Sequence, residues 1–293
     1  MKEFNVIIPS AYKDFAFLPR VVKFVKEYIR PKEIVIIINI RLLKFLPHSI
    51  RNDRNVIVVD ENTVVDNLNF EYVKSCLSRH GSPTFRTGWF LQQFLKLGFA
   101  TSKYCNTEYY LSWDADTLPL RSIKFFDENE HPFVTMKKEH NEAYFVALKR
   151  LLKLDKYANF SYIAEHMMFQ KSAMLSMLSE ISKCNISGDN WIEKIVNATE
   201  PKEVNSFSEF ETYGNYCLNR YPGMYAIRQL NTFRKAGYIN GRFISDRKLG
   251  FMGFDLDTAS FELGDYGCGL NKPATYLYAK WIKLKEKVIK KLV

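Results

Sequence analysis

The segment YYLSWDADTLPL, Tyr109–Leu120, decides the fold. Its apolar and aromatic start predicts a buried β-strand over Glu108–Trp113. Asp114 and Asp116 follow at once, and both carboxylates reach the edge of a sheet if the chain turns there. A divalent cation such as Mg²⁺ or Mn²⁺ prefers oxygen ligands and shares its shell with substrate phosphates, so one or two carboxylates suffice. The alternative is a turn or helix cap, the commoner fate of an isolated Asp-x-Asp.

Upstream of this segment, predicted strands and helices alternate. Glu3–Pro9, Glu33–Ile40 and Asn55–Val59 are short apolar runs, as expected of parallel strands covered on both faces. The spacing of apolar residues predicts helices over Asp14–Tyr28 and Thr87–Ala100. This alternation predicts an α/β fold with a Rossmann-like, doubly wound and mostly parallel sheet, whose ligands gather at the carboxyl ends of the strands.

The downstream half is less regular. Apolar spacing predicts helices over Glu142–Leu154, Lys171–Lys183 and Ser208–Leu218, and a strand over Met167–Gln170. Tyr221–Lys272 is rich in glycine, aromatic and polar residues without a clear period. We expect this stretch to form loops over a binding site.

Composition narrows the class of protein. The chain has 293 residues, 47% of them hydrophobic, and 42 Lys and Arg against 32 Asp and Glu, for a net charge of +10. No apolar run approaches the ~20 residues of a membrane span, so we expect a cytoplasmic protein. No nucleic-acid-binding motif accompanies the charge. The odd number of scattered cysteines argues against zinc and disulfides. These cysteines are Cys76, Cys105, Cys184, Cys217 and Cys268.

The densest basic block is KWIKLKEKVIKKLV, Lys280–Val293. It predicts a basic amphipathic helix at 276–293 that lies on the surface of the inner membrane. The alternative is an ordinary C-terminal helix whose apolar stripe packs on the core. The residues assigned largely to one apolar face are Tyr278, Trp281, Ile282, Val288, Ile289 and Leu292.

A family resemblance rests on five segments in order: VIIP, GWFLQQFLKL, YYLSWDADTLPL, AEHMMF and SEFETYGNY. This succession, covering most of residues 3–235, resembles a bacterial family of GT-A-fold glycosyltransferases that build lipopolysaccharide or capsule glycans. The resemblance implies a nucleotide-sugar donor, a divalent metal, and Asp114, Ala115 and Asp116 at the donor site. We expect one compact GT-A domain over residues 1–275, with a donor half at about 1–120 and an elaborated acceptor half at about 121–275.

The first strand-to-helix loop contains Pro9, Ser10, Ala11, Tyr12 and Asp14. In a doubly wound sheet this loop meets a nucleotide base or ribose. Tyr12 is a candidate to stack on uracil, which favours a UDP-sugar; its alternative is an ordinary exposed tyrosine.

Candidates for a catalytic base lie in SFSEFETYGNY, Ser206–Tyr216. A carboxylate at a helix N-terminus can face a cleft, and an inverting transfer needs a base for the acceptor hydroxyl. Glu209 and Glu211 compete, and each also fits a capping box. If Ser208 is the cap, Glu211 reaches back to it and Glu209 is free, so we favour Glu209 as the base. A structural role for both is the alternative.

Two further pairs are candidates for binding. Gln93 and Lys96 lie on the helix before the Asp-x-Asp strand, where Lys96 is placed to reach a phosphate; the alternative is a solvated helix face. Glu165 and His166 precede an apolar strand and are candidates to line the acceptor pocket. The alternative for the histidine is a satisfied core residue.

Together these predictions describe a metal-dependent hexosyltransferase-type enzyme, peripheral on the inner membrane, that acts on a lipopolysaccharide, capsule or lipid-linked glycan acceptor. One rival is a nucleotidyltransferase or phosphotransferase with the same metal site. The loop IIPSAYKD lacks the Gly-rich or basic phosphate loop common in such enzymes. The other rival is a non-enzymatic basic protein that binds membrane or nucleic acid. A second Asp-x-Asp pair, Asp255 and Asp257, is expected to be loop structure, and the alternative is that either residue approaches the metal.

Overall fold

The structure, a computed structural model, describes residues 2–292, except for the side chains of Asn240 and residues 290–292. The chain divides into two compact units. The first contains the residues up to Phe4, Glu61–Ser112 and Phe125–Gln229. The second contains Asn5–Asp60, Trp113–Lys124 and the chain from Leu230 onward.

The strands are β1 (Phe4–Pro9), β2 (Ile34–Ile38), β3 (Val56–Asp60), β4 (Tyr109–Trp113), β5 (Thr117–Pro119), β6 (Phe133–Thr135), β7 (His166–Gln170), β8 (Ala226–Arg228), β9 (Thr232–Phe233) and β10 (Thr258–Ser260). The helices are α1 (Leu18–Tyr28), α2 (His48–Arg51), α3 (Phe70–His80), α4 (Thr87–Gly98), α5 (Glu142–Leu152), α6 (Lys171–Lys183), α7 (Trp191–Ala198), α8 (Glu209–Arg220), α9 (Gly237–Asn240), α10 (Asp246–Met252) and α11 (Asn271–Leu292).

The second unit is built on three parallel strands in the order β3-β2-β1. Ile36 at the centre of β2 pairs with Ile8 on one side and Val58 on the other. The apolar residues of β1 and β2 are buried, which explains why these strands show no alternation of polar and apolar residues.

A small sheet completes the second unit. β10 runs antiparallel to β5, with Ala259 opposite Leu118, and parallel to β9. Two of these strands lie in Tyr221–Lys272, together with β8, α9 and α10. The prediction that this stretch forms only loops is therefore wrong, because its strands are too short to leave a periodic pattern in the sequence.

The first unit holds β4 beside β7, and β6 parallel to β8. Tyr110 of β4 is completely buried, and its ring centroid lies 5.1 Å from that of Phe99 and 5.2 Å from that of Phe169. Gly214 of α8 packs directly on a ring, because a Cβ there would lie 2.6 Å from Cγ of Tyr162. Aromatic packing thus fixes the position of α8.

Two helices of the first unit, α3 and α7, were not predicted. Asn69 caps α3 by accepting a hydrogen bond from the Tyr72 amide at 2.9 Å, and Gly81 ends it with φ of 80°. Asn190 caps α7 in the same way, at the amides of Ile192 and Glu193.

The predicted α/β class with mostly parallel strands is confirmed. The division into donor and acceptor halves stays a prediction. All five cysteines are free. Within the described residues, every helix is too short or too polar to cross a membrane.

Candidate functional site

The Asp114–Asp116 turn is held by backbone hydrogen bonds. The Thr117 amide donates to the Asp114 carbonyl at 3.2 Å, which closes the turn directly after β4. The Phe261 amide, just past β10, donates to the Asp116 carbonyl at 2.8 Å. Ala115 between the two aspartates is buried, whereas both aspartates are partly exposed. The turn therefore presents two carboxylates from a fixed backbone.

The charge of Asp14 acts on the carboxyl group of Asp116. Burial of the Asp116 carboxyl, followed by the charges of Asp14 and Asp114, raises the pKa of Asp116 to about 7. The cations of Arg242 and Lys13 act in the opposite direction. At neutral pH the raised pKa leaves the Asp116 carboxyl only partly ionised, and a bound cation would favour its carboxylate form.

Arg242 organises this part of the second unit, although it was not among the predicted site residues. Its buried guanidinium donates to the carbonyl of Phe261 at 2.7 Å, to the carbonyl of Lys13 at 3.0 Å, and to Oδ1 of Asp14 at 2.8 Å. Arg242 therefore ties β10, next to the Asp116 turn, to the loop after β1. It lies in the aperiodic stretch after β8, where no sequence pattern distinguishes one arginine from its neighbours.

The predicted loop after β1 is compact. Pro9 is the last residue of β1, and the Ser10 amide donates to the Ile37 carbonyl at 2.8 Å. The Asp14 amide then donates to the Ala11 carbonyl at 2.9 Å, closing a turn of 3-10 helix. This turn brings Asp14 close enough for its charge to act on Asp116. Ser10 and Ala11 contribute backbone hydrogen bonds that shape the loop.

Tyr12 is half-buried at the start of that turn. Its ring meets Phe45 edge-on at a centroid distance of 5.8 Å and Phe15 at 5.7 Å. Burial, followed by the charge of Glu286, raises the pKa of the Tyr12 hydroxyl. The aromatic neighbours fix the ring; stacking on uracil stays a prediction.

A divalent cation fits the donor set at this turn. Among the side chains that the structure describes, no group of three or more His, Cys, Asp and Glu is arranged to hold a metal ion. Mg²⁺ and Mn²⁺ do not need such a group, because one or two carboxylates with phosphate oxygens and water complete their shell. Asp114 and Asp116 would supply the protein ligands.

The second Asp-x-Asp pair has a structural role. Asp257 accepts hydrogen bonds from Arg121 Nε at 2.6 Å and from the Asn231 amide at 2.7 Å. Asp255 is exposed, and its carbonyl accepts from the Asn231 side chain at 3.2 Å. This arrangement agrees with the expectation that the pair stabilises a loop.

In the first unit, three predicted site residues contact each other. Lys96 Nζ lies 3.0 Å from Glu209 Oε1, with both side chains less than a tenth exposed. Gln93 Oε1 accepts a hydrogen bond from the Glu209 amide at 3.0 Å. The expectation that Glu209 is free once Ser208 caps α8 is therefore wrong, because Lys96 binds its carboxylate. The solvated-face alternative for Gln93 and Lys96 is also wrong, since both are buried.

Glu211 has a different set of partners. Ser208 is the cap of α8, and its hydroxyl accepts from the Glu211 amide at 3.2 Å. The Glu211 carboxylate accepts instead from the Ser161 hydroxyl at 2.5 Å, the Tyr162 amide at 3.2 Å and the Asn215 amide group at 3.2 Å. Burial raises its pKa. Glu211 thus fastens α8 to the segment before β7.

Glu165 and His166 are both buried in a polar cluster of the first unit. Lys137 Nζ lies 3.5 Å from Glu165 Oε2, and His166 Nε2 lies 3.2 Å from the Thr135 hydroxyl. Burial, followed by the nearby cations of Arg228 and Lys137, holds the pKa of His166 well below its usual value. The histidine is therefore neutral at physiological pH. Binding of an acceptor by this cluster stays a prediction.

A comparison with curated proteins finds no match. Among solved structures, the chain is similar to the galactosyltransferase LgtC in complex with donor and acceptor sugar analogues, at 12% identity and a TM-score of 0.42 over 97% of this chain and 96% of that one. An active-site mutant of LgtC gives 12% identity and a TM-score of 0.43, over 92% and 89% of the two chains. These TM-scores are too low for either similarity to indicate what this chain does.

A protein family matches residues 17–237. The matched segment includes Asp114, Asp116 and Glu209, whereas Asp14 and Arg242 lie outside it. Because the match covers most of the sequence, the chain belongs to the family of unknown function DUF6492.

Proposed function

We propose that this protein is a metal-dependent GT-A glycosyltransferase that transfers a sugar from a nucleoside-diphosphate sugar, with UDP as the favoured nucleotide. The observation that carries the proposal is the cluster of Asp14, Asp114 and Asp116 with the cations of Lys13 and Arg242. Such a cluster suits a divalent cation bridged to a diphosphate, with cationic side chains beside it.

The candidate site residues of the second unit then have distinct roles. Asp114 and Asp116 would hold the metal, which when bound would supply Lewis-acid stabilisation of the leaving diphosphate. Arg242 orients the loop that carries Asp14, through its hydrogen bonds to Asp14 and to the Lys13 carbonyl. Tyr12 supplies an aromatic ring on which the uracil base of the donor stacks.

The acceptor side is assigned to the first unit. Glu165 and His166 are proposed to bind a glycan acceptor, and the lipopolysaccharide, capsule or lipid-linked class follows from the family resemblance. Glu209 is the proposed base of an inverting transfer. We prefer it to Glu211 because three groups, of Ser161, Tyr162 and Asn215, donate hydrogen bonds to the Glu211 carboxylate, whereas the Glu209 carboxylate forms an ion pair with Lys96.

We also place the protein on the cytoplasmic face of the inner membrane, through α11. Support comes from the basic and apolar residues of this helix, five of whose lysines are exposed. Those five are Lys272, Lys280, Lys283, Lys285 and Lys287.

The decisive experiment measures the melting temperature with UDP, with Mn²⁺ and with both. At one hundred times its Kd a ligand stabilises by about 2.7 kcal/mol, which corresponds to a rise in Tm of roughly 5–11 °C for a protein of this size. We expect that rise with UDP and Mn²⁺ together, and its loss when EDTA is added. Hydrolysis of a panel of UDP-sugars then identifies the donor.

Two matched variants test the metal site. Asp116→Asn should remove the joint effect of UDP and Mn²⁺, because it replaces a carboxylate of the cluster. Asp255→Asn changes the first, exposed aspartate of the other Asp-x-Asp pair and should behave as the wild type. The proposal fails if no nucleotide stabilises the protein, or if Asp116→Asn responds to UDP and Mn²⁺ as the wild type does.

A further inference from the structure

The helix α11 has two apolar faces. Ala279, Ile282 and Ile289 are buried, whereas four other apolar residues are half exposed or more. These four form what we call the outer stripe: Leu277 (65% exposed), Trp281 (50%), Leu284 (62%) and Val288 (51%). With about 100° between successive residues, the outer stripe lies roughly 150° around the helix from the buried residues. Of the residues assigned largely to one apolar face, Ile282 and Ile289 are buried, whereas Trp281 and Val288 are exposed; Leu292 lies outside the described side chains.

The buried face of α11 packs within the second unit. Ala279 and Ile282 form a core cluster with Leu263. At the start of the helix, the Thr275 hydroxyl accepts a hydrogen bond from the Gly267 amide at 2.9 Å. These contacts hold the first half of α11 against the chain that follows β10.

The same face reaches the proposed donor site. Tyr278 and Arg242 both line a cavity of about 410 Å³, and the Tyr278 ring lies 5.0 Å from that of Phe243. The helix also packs against the 3-10 turn Tyr12–Asp14, where the charge of Glu286 acts on Tyr12 and Lys13. One face of α11 thus borders the loop after β1 and the arginine that holds it.

The outer stripe has the chemistry of a surface for anionic lipid. Lys280, Lys283, Lys285 and Lys287 are exposed around it, and Lys285 Nζ lies 3.7 Å from the Trp281 ring centroid. The sequence of α11 contains one acidic residue, Glu286, which belongs to the inner side. Leucine and tryptophan flanked by lysine are typical of helices that lie in the headgroup region of a bilayer.

We propose that α11 binds an anionic bilayer through the outer stripe while its inner face orders the loop after β1, so that membrane binding and donor binding strengthen each other. The two faces are nearly opposite, and so both can be occupied at once. A helix fixed on a membrane restricts the loop that packs on it. By linkage, a ligand that needs the ordered loop must then favour the membrane-bound state. The references to a donor and to the membrane rest on the proposed function; the ordering of the loop by the inner face of α11 does not.

The test uses the full chain with vesicles of phosphatidylcholine alone or mixed with phosphatidylglycerol. We expect at least tenfold stronger cosedimentation with the anionic vesicles. Amide hydrogen exchange in peptides covering residues 10–17 should slow at least threefold on the same vesicles. The variant Leu277→Ser/Trp281→Ser should lose both effects, whereas Phe85→Ser, at an exposed residue of the first unit, should keep both.

Three outcomes would overturn the inference. These are equal binding to both kinds of vesicle, full vesicle binding by Leu277→Ser/Trp281→Ser, and unchanged exchange at residues 10–17 on bound protein. A dimer that dissociates in that variant, without vesicle binding by the wild type, would assign the stripe to a second copy of the chain instead.

Absence of UDP binding contradicts the proposed function alone, because the vesicle and exchange measurements contain no nucleotide. If UDP binds with Mn²⁺, its affinity should rise at least threefold on anionic vesicles.

Discussion

Replacing Lys96 by methionine removes the cation from the buried Lys96–Glu209 pair. The two side chains are 5% and 8% exposed, the N–O distance is 3.0 Å, and Lys96 Nζ also lies 4.5 Å from the Phe210 ring centroid. Breaking a buried pair by removing one partner costs about 3–5 kcal/mol, because the other charge stays buried. For a chain of this size, about 4 kcal/mol corresponds to a fall in Tm of roughly 8–16 °C.

The double variant Lys96→Met/Glu209→Gln separates the pair from its parts. Removing both charges leaves no buried ion, and so we expect it to recover at least half of the loss in Tm. Lys74→Met is the matched control, because the Lys74–Glu71 pair is 51% and 77% exposed and such pairs contribute about 1 kcal/mol or less. Thermal unfolding followed by circular dichroism measures five proteins: the wild type, Lys96→Met, Glu209→Gln, the double variant and Lys74→Met.

The reasoning is refuted if Lys96→Met and Lys74→Met lower Tm equally, or if the double variant shows the summed losses of its two single variants. The same set tests the proposed base. If Glu209 takes the proton from the acceptor, Lys96→Met/Glu209→Gln should regain stability and stay inactive. Activity that returns with stability would assign Glu209 to the fold alone.

Two further predictions concern the first unit. Gly214→Ala should lower the free energy of unfolding by about 1–3 kcal/mol, because its Cβ would meet the Tyr162 ring. Gly88→Ala is the control: a Cβ there has no atom within 4 Å, so the free energy of unfolding should stay the same or rise by up to about 1 kcal/mol. Urea unfolding measures both variants, and equal effects would contradict the packing argument. Because burial, followed by the cations of Arg228 and Lys137, depresses the pKa of His166 in the folded state, the unfolded chain takes up that proton first, and stability falls as the pH falls below about 6.5. The wild type should therefore lose more stability than His166→Gln as the pH is lowered from about 6.5 to about 5, with exposed His48→Gln matching the wild type; a His166→Gln variant as acid-sensitive as the wild type would show that another group is responsible.

Local sequence was sufficient for the strands of the parallel sheet. EIVIIINI contains the β2 strand, and its unbroken β-branched run has few alternatives to a strand buried on both faces. The helix α3 was not predicted, because its buried residues Val73, Cys76 and Leu77 give only one i, i+3, i+4 apolar set among polar neighbours. Asn69 before that helix and Gly81 after it were usable signals, since they are the residue types that cap helices.

The candidate site was only partly predictable, for a physical reason. Asp114 and Asp116 follow a strand, and their place at its end is a local property. The Lys96–Glu209 partnership joins residues 113 positions apart, and Arg242–Asp14 joins residues 228 positions apart. No spacing rule links such residues, because their contact depends on how complete elements pack.

The Arg242–Asp14 contact also has a consequence for how the protein is made. A ribosome adds about 5–20 residues per second, so on the order of 10–50 s pass between the synthesis of Asp14 and that of Arg242. During that interval β1, β2 and β3 exist without the segment from Leu230 onward that belongs to their unit. The nascent chain must therefore keep an apolar parallel sheet from aggregating until its last quarter arrives, and a chaperone that holds residues 5–60 would be expected to raise the yield of folded protein.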